Sequence, residues 1–296
     1  MNIRNIFFNK EEQRLRAGWR IILFLVAVMA CSWAIILPLM WFIGGRPAPG
    51  LGRDFLLIGA AAIIVTLLLP VARKRLDKRS LVSLGLHFDA NAIKDLIFGC
   101  FLSAAMAATF FFLLIGFGKL EITGFAWQVE GFLLSLLGYL ALHIIVGWWE
   151  ELFFRGYLFD NMKAGLGLTW AIVTSCLLYG LMHAANPNST LLSSGIIVIF
   201  GFLRIYGLIA TRQLWLSMGM HMGWNFFQGP IFGFAASGHT TVRLVEHQTN
   251  GADWLTGGEF GPEGSVLILP ILAAALLAMH LWAKITRPTE SSQIFV

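Results

Sequence analysis

Glu150, Glu151, Arg155, His183, His221 and Asn225 are the residues of this 296-residue sequence whose types and spacing suit chemistry. Each lies in or beside a long apolar run, where an ionisable group costs a few kcal/mol on insertion scales and marks a functional position by default. In the stretch from Glu150 to Arg155, a helix would place Glu151 and Arg155 one turn apart, with the acid on the N-terminal side, the better order for an ion pair. Glu150 would point about 100° away from Glu151, so one guanidinium cannot neutralise both. That leaves one structural carboxylate and one free carboxylate. In a semi-apolar cavity the free one, Glu150, could serve as a general base near neutrality.

Two further clusters lie downstream. Tyr179 and His183 are four residues apart, just before an Asn186-Pro187 pair that ends the helix. His221 and Asn225 share the same spacing, which puts imidazole and amide on one helix face. Two adjacent donors aimed into a cavity can hold a developing oxyanion. Gly219 and Gly223, also four apart, would let a neighbouring helix approach closely. Taken singly, each cluster has a structural alternative: a charged turn closing a helix, a hydrogen-bonded packing histidine, an interhelical hydrogen-bond pair. His143, seven residues before Glu150, is expected on the same face, with packing as its alternative role. Arg204 is expected to pair with a carboxylate or to snorkel to the inner surface. His239 and His247 read as solvated loop residues, and His87 and His280 carry no signal.

These residues need helices to position them, and the composition supplies them. Apolar residues make up 57% of the chain, charged residues 12%, and the mean hydropathy is +0.75. A soluble domain carries about a quarter charged residues, and a spanning helix needs roughly 20 mostly apolar ones. The fold class is therefore all-α: a polytopic transmembrane bundle of about eight spans. They are expected at Ile21–Ile43, Phe55–Ala72, Leu96–Phe117, Phe132–Trp149, Thr169–Ala185, Leu191–Ala210, Leu214–Ala236 and Ser265–Ala283. A β-barrel would need alternating ten-residue segments, and none is present. The organisation reads as a juxtamembrane amphiphilic segment (1–20), helices one to three (21–125), helices four to seven with the chemistry (126–236), an outer loop (237–264), and a last helix and tail (265–296). Residues 2–20 are expected to lie along the inner membrane surface. The run after Arg20 is longer than a signal-peptide core and lacks an A-x-A-like site, so the first helix is expected to be retained.

The net charge of +5 does not point to nucleic acid. The cations gather in short segments flanking apolar runs, as topology signals do. One side holds Arg4, Lys10, Arg14, Arg16, Arg20, Arg73 to Arg79, Lys94, Arg155, Lys163, Arg212, Lys284 and Arg287; the other holds Arg46, Arg53, Lys119 and Arg243. Both termini are therefore expected to be cytoplasmic, in a multi-pass protein of the cell inner (plasma) membrane. Cys31, Cys100 and Cys176 are far apart within apolar runs, which indicates neither a disulfide framework nor a thiolate metal site.

In order and spacing, Glu-Glu-x-x-x-Arg (Glu150, Glu151, Arg155), aromatic-x-x-x-His (Tyr179, His183) and His-x-x-x-Asn (His221, Asn225) resemble the CPBP family. This family, also called Abi, holds the CAAX proteases and bacteriocin-processing enzymes and includes type II CAAX prenyl endopeptidases. The likeness covers roughly Trp148–Gly229. Tyr179 stands where the family usually has phenylalanine, which keeps the ring and adds a hydroxyl. The basic approach Arg14–Arg20 and the Gly257–Gly264 stretch look like features of bacterial members. The resemblance implies peptide-bond hydrolysis within the membrane, with Glu150 and His183 activating a water. His221 and Asn225 would then hold the oxyanion, and Glu151 and Arg155 would brace the site. It also implies a cavity open to the cytoplasm.

A metal-free glutamate mechanism with no cofactor is the favoured expectation, since the His-Glu-x-x-His pairing of zincins is absent. The alternative is Zn2+ held by Glu150, His183 and His221. The expected partners are the lipid bilayer and a membrane-associated protein or peptide substrate, such as a leader peptide. A proton-coupled transporter or a catalytically idle scaffold, as for an immunity protein, are the rival readings. One tension stands out: a linear depth count sets Glu150 and His183 about 20 Å apart. The fourth helix is therefore expected to continue through Arg155 to about Phe159.

Overall fold

In hydrocarbon every backbone N–H and C=O must find its partner within the chain, and the apolar blocks meet that demand as helices. The computed structural model describes residues 4–43, 45 and 50–287. Residues 1–3, the expected outer-side cation Arg46 and the tail 288–296 lie outside the described residues. The helices are α1 Ala17–Phe42, α2 Leu51–Ala72, α3 Ala90–Gly116, α4 Phe132–Leu166, α5 Leu168–His183, α6 Leu191–Thr211, α7 Trp215–Phe226 and α8 Ile268–Thr286. The chain is an all-α polytopic bundle.

Six of these helices are long and apolar enough to cross a bilayer: α1, α2 with its continuation to Asp77, α3, α4, α6 and α8. The other two expected spans are shorter than read from the sequence. The fifth, α5, has 16 residues and stops at His183, ahead of Asn186-Pro187. The residue before a proline is pushed away from helical geometry. Helix α7 has 12 residues and passes into a π-helical turn, Phe227–Ile231, that contains Pro230. The expected extension to Ala236 fails there, because proline removes a backbone donor and crowds the preceding turn.

Helix α4 is continuous for 35 residues, about 50 Å at ~1.5 Å per residue. It is α-helical to Glu150, π-helical from Glu151 to Leu158, and α-helical again to Leu166. Gly167, at φ +79°, then reverses the chain into α5 with a single linking residue. Few residues other than glycine take that left-handed backbone. Glu150 and His183 stand almost equally far from Gly167 on these two antiparallel helices. They therefore reach the same depth, and the mismatch in the linear count disappears.

The other support comes from α3 and α7, the most extensively packed helix pair. An added Cβ at Gly219 would meet the backbone of Leu96, and one at Gly99 would meet the backbone of Leu216 and Met220. The small residues let the two backbones touch. One apolar core joins α3, α6, α7 and α8; a second joins α1, α2, α4 and α5.

The two ends of the bundle differ. At one end Arg20 and Arg73 converge on Asp77 at 3.1 and 2.7 Å, and Arg73 also reaches Asp160 at 2.7 Å. Arg14 donates to the Asp77 carbonyl at 2.8 Å. The described part of the N-terminal segment makes a small ladder, β1 Phe8–Asn9 with β2 Arg14–Leu15, and turns Arg14 inward, as the start of α1 does Arg20. At the other end, β3 Leu120–Phe125 pairs antiparallel with β4 Val245–Thr249. The loop after α7 folds back over that end.

Candidate active site

Glu151 is fully buried, and its Oε1 accepts from Arg155 Nη1 at 3.2 Å and from His221 Nδ1 at 2.9 Å. Arg204 Nη1 lies 3.9 Å from the same oxygen. The expected pairing of Arg155 with Glu151 thus holds through the π-helical turn. Arg155 is consequently a buried interior residue and not one of the inner-surface cations among which its sequence position placed it. Arg204 pairs with a carboxylate, one of its two expected fates, and does not snorkel.

Glu150 has a different environment. Its side chain is 16% exposed, and its Oε2 accepts from the Tyr179 hydroxyl at 3.3 Å. The Tyr179 hydroxyl in turn accepts from Arg204. The ring of Tyr179 lies 4.0 Å from the Arg155 guanidinium carbon, a cation–π contact. The hydroxyl added to the usual aromatic position is therefore a link between a guanidinium and the free carboxylate. Two carboxylates and two guanidiniums meet in one buried cluster, so the charges balance when both histidines are neutral.

The histidine tautomers follow from their partners. A carbonyl oxygen can only accept, so His183 Nδ1–H donates to the Tyr179 carbonyl at 2.9 Å. Likewise His221 Nδ1–H donates to the Glu151 carboxylate. Both neutral rings are left with an unprotonated Nε2. That of His221 lies 3.8 Å from Glu150 Oε2. Two acceptors at this separation suit a bridging water rather than a direct bond.

These groups share a cavity of ≈ 430 Å³. Glu150, Tyr179, His183, Arg204, His221 and Asn225 line it, and so do Arg53, Asp54, Asn186, Ser237, His239 and Thr240, of which His239 and Thr240 are exposed. Every residue singled out in the three sequence clusters thus lies in the cavity wall or, for Glu151 and Arg155, directly behind it. Imidazoles whose other nitrogen is bonded to a carboxylate or carbonyl are oriented as metal ligands commonly are. Yet no three His, Cys, Asp or Glu side chains among the described residues gather closely enough to hold a metal ion.

Sequence reasoning passed over Glu263, which is 1% exposed. It accepts from Trp224 Nε1 at 2.8 Å and from Ser237 Oγ at 2.6 Å, and it lines the cavity. It looked like one more acid of a polar outer loop. Only its place in a Gly-Pro-Glu-Gly turn set it apart.

His143 also lines the cavity, one helix face with Glu150, and is 6% exposed. Neither ring nitrogen has a partner among the described residues. A buried unpaired polar group costs about 1–3 kcal/mol. His143→Phe, which keeps a ring against Tyr139, is expected to raise the thermal midpoint of the purified protein. A lowered midpoint would show that the ring relies on a hydrogen bond.

Fold and site together define a class: a multi-pass membrane protein with paired carboxylates and imidazoles at the foot of a cavity. Residues 132–227, from the start of α4 to just past α7, match the family described as type II CAAX prenyl endopeptidase Rce1-like. The match over this segment supports membership of the CAAX/CPBP family. A comparison with curated proteins gives no match.

Proposed function

We propose that this protein is an intramembrane endopeptidase that hydrolyses a membrane-associated polypeptide with a water activated by Glu150. The observation that carries this reading is the division of labour between adjacent carboxylates. Arg155 and the His221 Nδ1–H bond to Glu151, while Glu150 faces the cavity with a phenol hydroxyl and an unprotonated imidazole nitrogen for neighbours.

A water that donates to Glu150 and to the Nε2 lone pair of His183 loses a proton to Glu150 as its oxygen bonds to the scissile carbonyl carbon. The proton then passes to the departing nitrogen as the C–N bond breaks, giving a carboxyl and an amine terminus. Asn225 supplies an amide donor to the tetrahedral oxyanion. Neutral His221 has no N–H facing the cavity, so its Nε2 accepts from the hydroxyl that the attacking water leaves on the tetrahedral intermediate, and the Glu151 carboxylate on Nδ1 fixes that tautomer. Arg155 and Arg204 keep Glu151 and Tyr179 in place. Every step runs through protein groups and water.

Membrane proteomics comparing wild type with Glu150→Ala tests the reading: a precursor is expected to accumulate in the variant. Its absence under all growth conditions would favour a scaffold or transporter. Stoichiometric zinc in active purified protein, with cleavage lost on its removal, would overturn the metal-free step.

A further inference from the structure

The direction in which the cavity opens is set by residues that take no part in the chemistry. Of the lining residues on α4, Phe154 stands nearest the arginine-rich end, and on α6 Arg204 is the residue that reaches the cavity. Between them and the arginine-rich end, Leu152, Tyr157, Leu214 and Met218 fill the bundle, each no more than 2% exposed. Every other lining residue lies from the site toward the opposite end. Arg53 and Asp54 belong to the first turn of α2, Asn186 follows α5, and Ser237 to Thr241 open the loop after α7. The rim is polar, with Arg53 Nη2 3.3 Å from Asp54. The wall below it is apolar, from Leu57, Ile58, Leu142, Val146 and Met182.

Lysine and arginine are concentrated at the closed end. Segments 10–20, 73–79, 160–163 and 284–287 lie there, tied together by the pairs on Asp77 and by Arg287 on Asp95 at 2.6 Å. The mouth end carries only Arg53, Lys119 and Arg243 among the described residues. This bias sets membrane orientation, so the closed end faces the cytoplasm.

From this we infer that the cavity opens on the extracytoplasmic face. Its substrates are then membrane-anchored polypeptides cut in a stretch that emerges on that side. A tail presented from the cytoplasm would meet the packed end of the bundle. That is the reverse of the access the family resemblance implies. The word substrate rests on the hydrolase reading above; the side of access does not.

Single cysteines in a chain lacking Cys31, Cys100 and Cys176 test it. Thr240→Cys marks the rim, Ile58→Cys the apolar wall, and Ser80→Cys the arginine-rich end. Intact cells are treated with a small, charged, membrane-impermeant thiol reagent, and modification is read by mass spectrometry. Thr240→Cys and Ile58→Cys are expected to react in intact cells, and Ser80→Cys only after permeabilisation. Reaction of Ser80→Cys in intact cells, or of Ile58→Cys only from the cytoplasmic side, would overturn the inference. The labelling is done with Glu150 intact and set beside the Glu150→Ala proteomics, which separates the two readings. Outside labelling together with no precursor accumulating in Glu150→Ala would sink the hydrolase and leave the orientation standing.

Discussion

Glu150→Gln is expected to yield a folded membrane protein whose peptide hydrolysis falls by about 10²–10⁴-fold in kcat, the usual contribution of a positioned general base. The substitution keeps the shape and one acceptor oxygen for Tyr179, so the cavity wall stays packed. What is lost is the group that takes the proton from water. Glu151 cannot stand in, being held by Arg155 and His221 with its Oε1, away from the cavity. The His221 Nε2 lone pair is the nearest substitute base, so residual turnover rather than complete loss is expected. KM is expected to change little, because the apolar wall and rim that would hold the polypeptide are untouched. Kinetics on a membrane-reconstituted protein, with thermal midpoint and gel-filtration profile as controls, decide the matter. A kcat within tenfold of wild type in a well-folded variant would remove Glu150 from the proposed role.

The contrast with Glu151 was legible in the sequence for a simple reason. An i,i+4 acid–base pair on one helix is a local property, and local geometry survives folding. The helices themselves were equally legible, because an apolar block in a bilayer has few structural options. Gly219 and Gly223 announced a close helix contact for the same reason: a missing Cβ is a fact about the residue, and α3 is the neighbour that uses it. What could not be read was anything that depends on which loop returns where. Glu263 is distant in sequence from Trp224 and Ser237, and nothing in a glycine-rich acidic loop says that its carboxylate will be buried between them. The β3–β4 pairing joins segments more than a hundred residues apart. Arg155 was misplaced as a surface cation because positive-inside reasoning counts charges by position along the chain. The depth of Glu150 follows once the fourth helix is carried past Trp149 to about Phe159, as expected, and the structure carries it on to Leu166. A π-helical turn of charged and aromatic residues looks like an end when it is an interior.

The bond between His221 and Glu151 also lay beyond sequence reasoning, and it changes the expected chemistry. Read from its spacing with Asn225, His221 was an oxyanion donor. With Nδ1–H committed to Glu151, the neutral ring offers an acceptor to the cavity and becomes a donor only after protonation. Glu151 therefore does two things at once: it balances buried guanidinium charge, and it fixes the tautomer of a neighbouring imidazole.

For that reason Glu151→Ala is expected to do more harm to the protein than Glu150→Gln, and of a different kind. Arg155 is 1% exposed, and the Glu151 carboxylate is its hydrogen-bond partner. Removing one member of a buried ion pair costs about 3–5 kcal/mol, because the remaining charge is stranded away from water. Arg204 loses its nearby carboxylate as well, and His221 loses the acceptor that orients it. The variant is expected to show a strongly lowered thermal midpoint and poor recovery from membranes. Replacing both partners by apolar residues, as in Glu151→Leu with Arg155→Met, removes the stranded charge and is expected to restore much of the stability. Activity is not expected to return with it, since His221 would still lack its Nδ1 acceptor. Thermal unfolding of the single and double variants, run beside a cleavage assay, separates the two roles. A double variant that recovers both stability and full cleavage would show that Glu151 only balances charge. A Glu151→Ala protein as stable as wild type would show that the buried cluster does not need it at all.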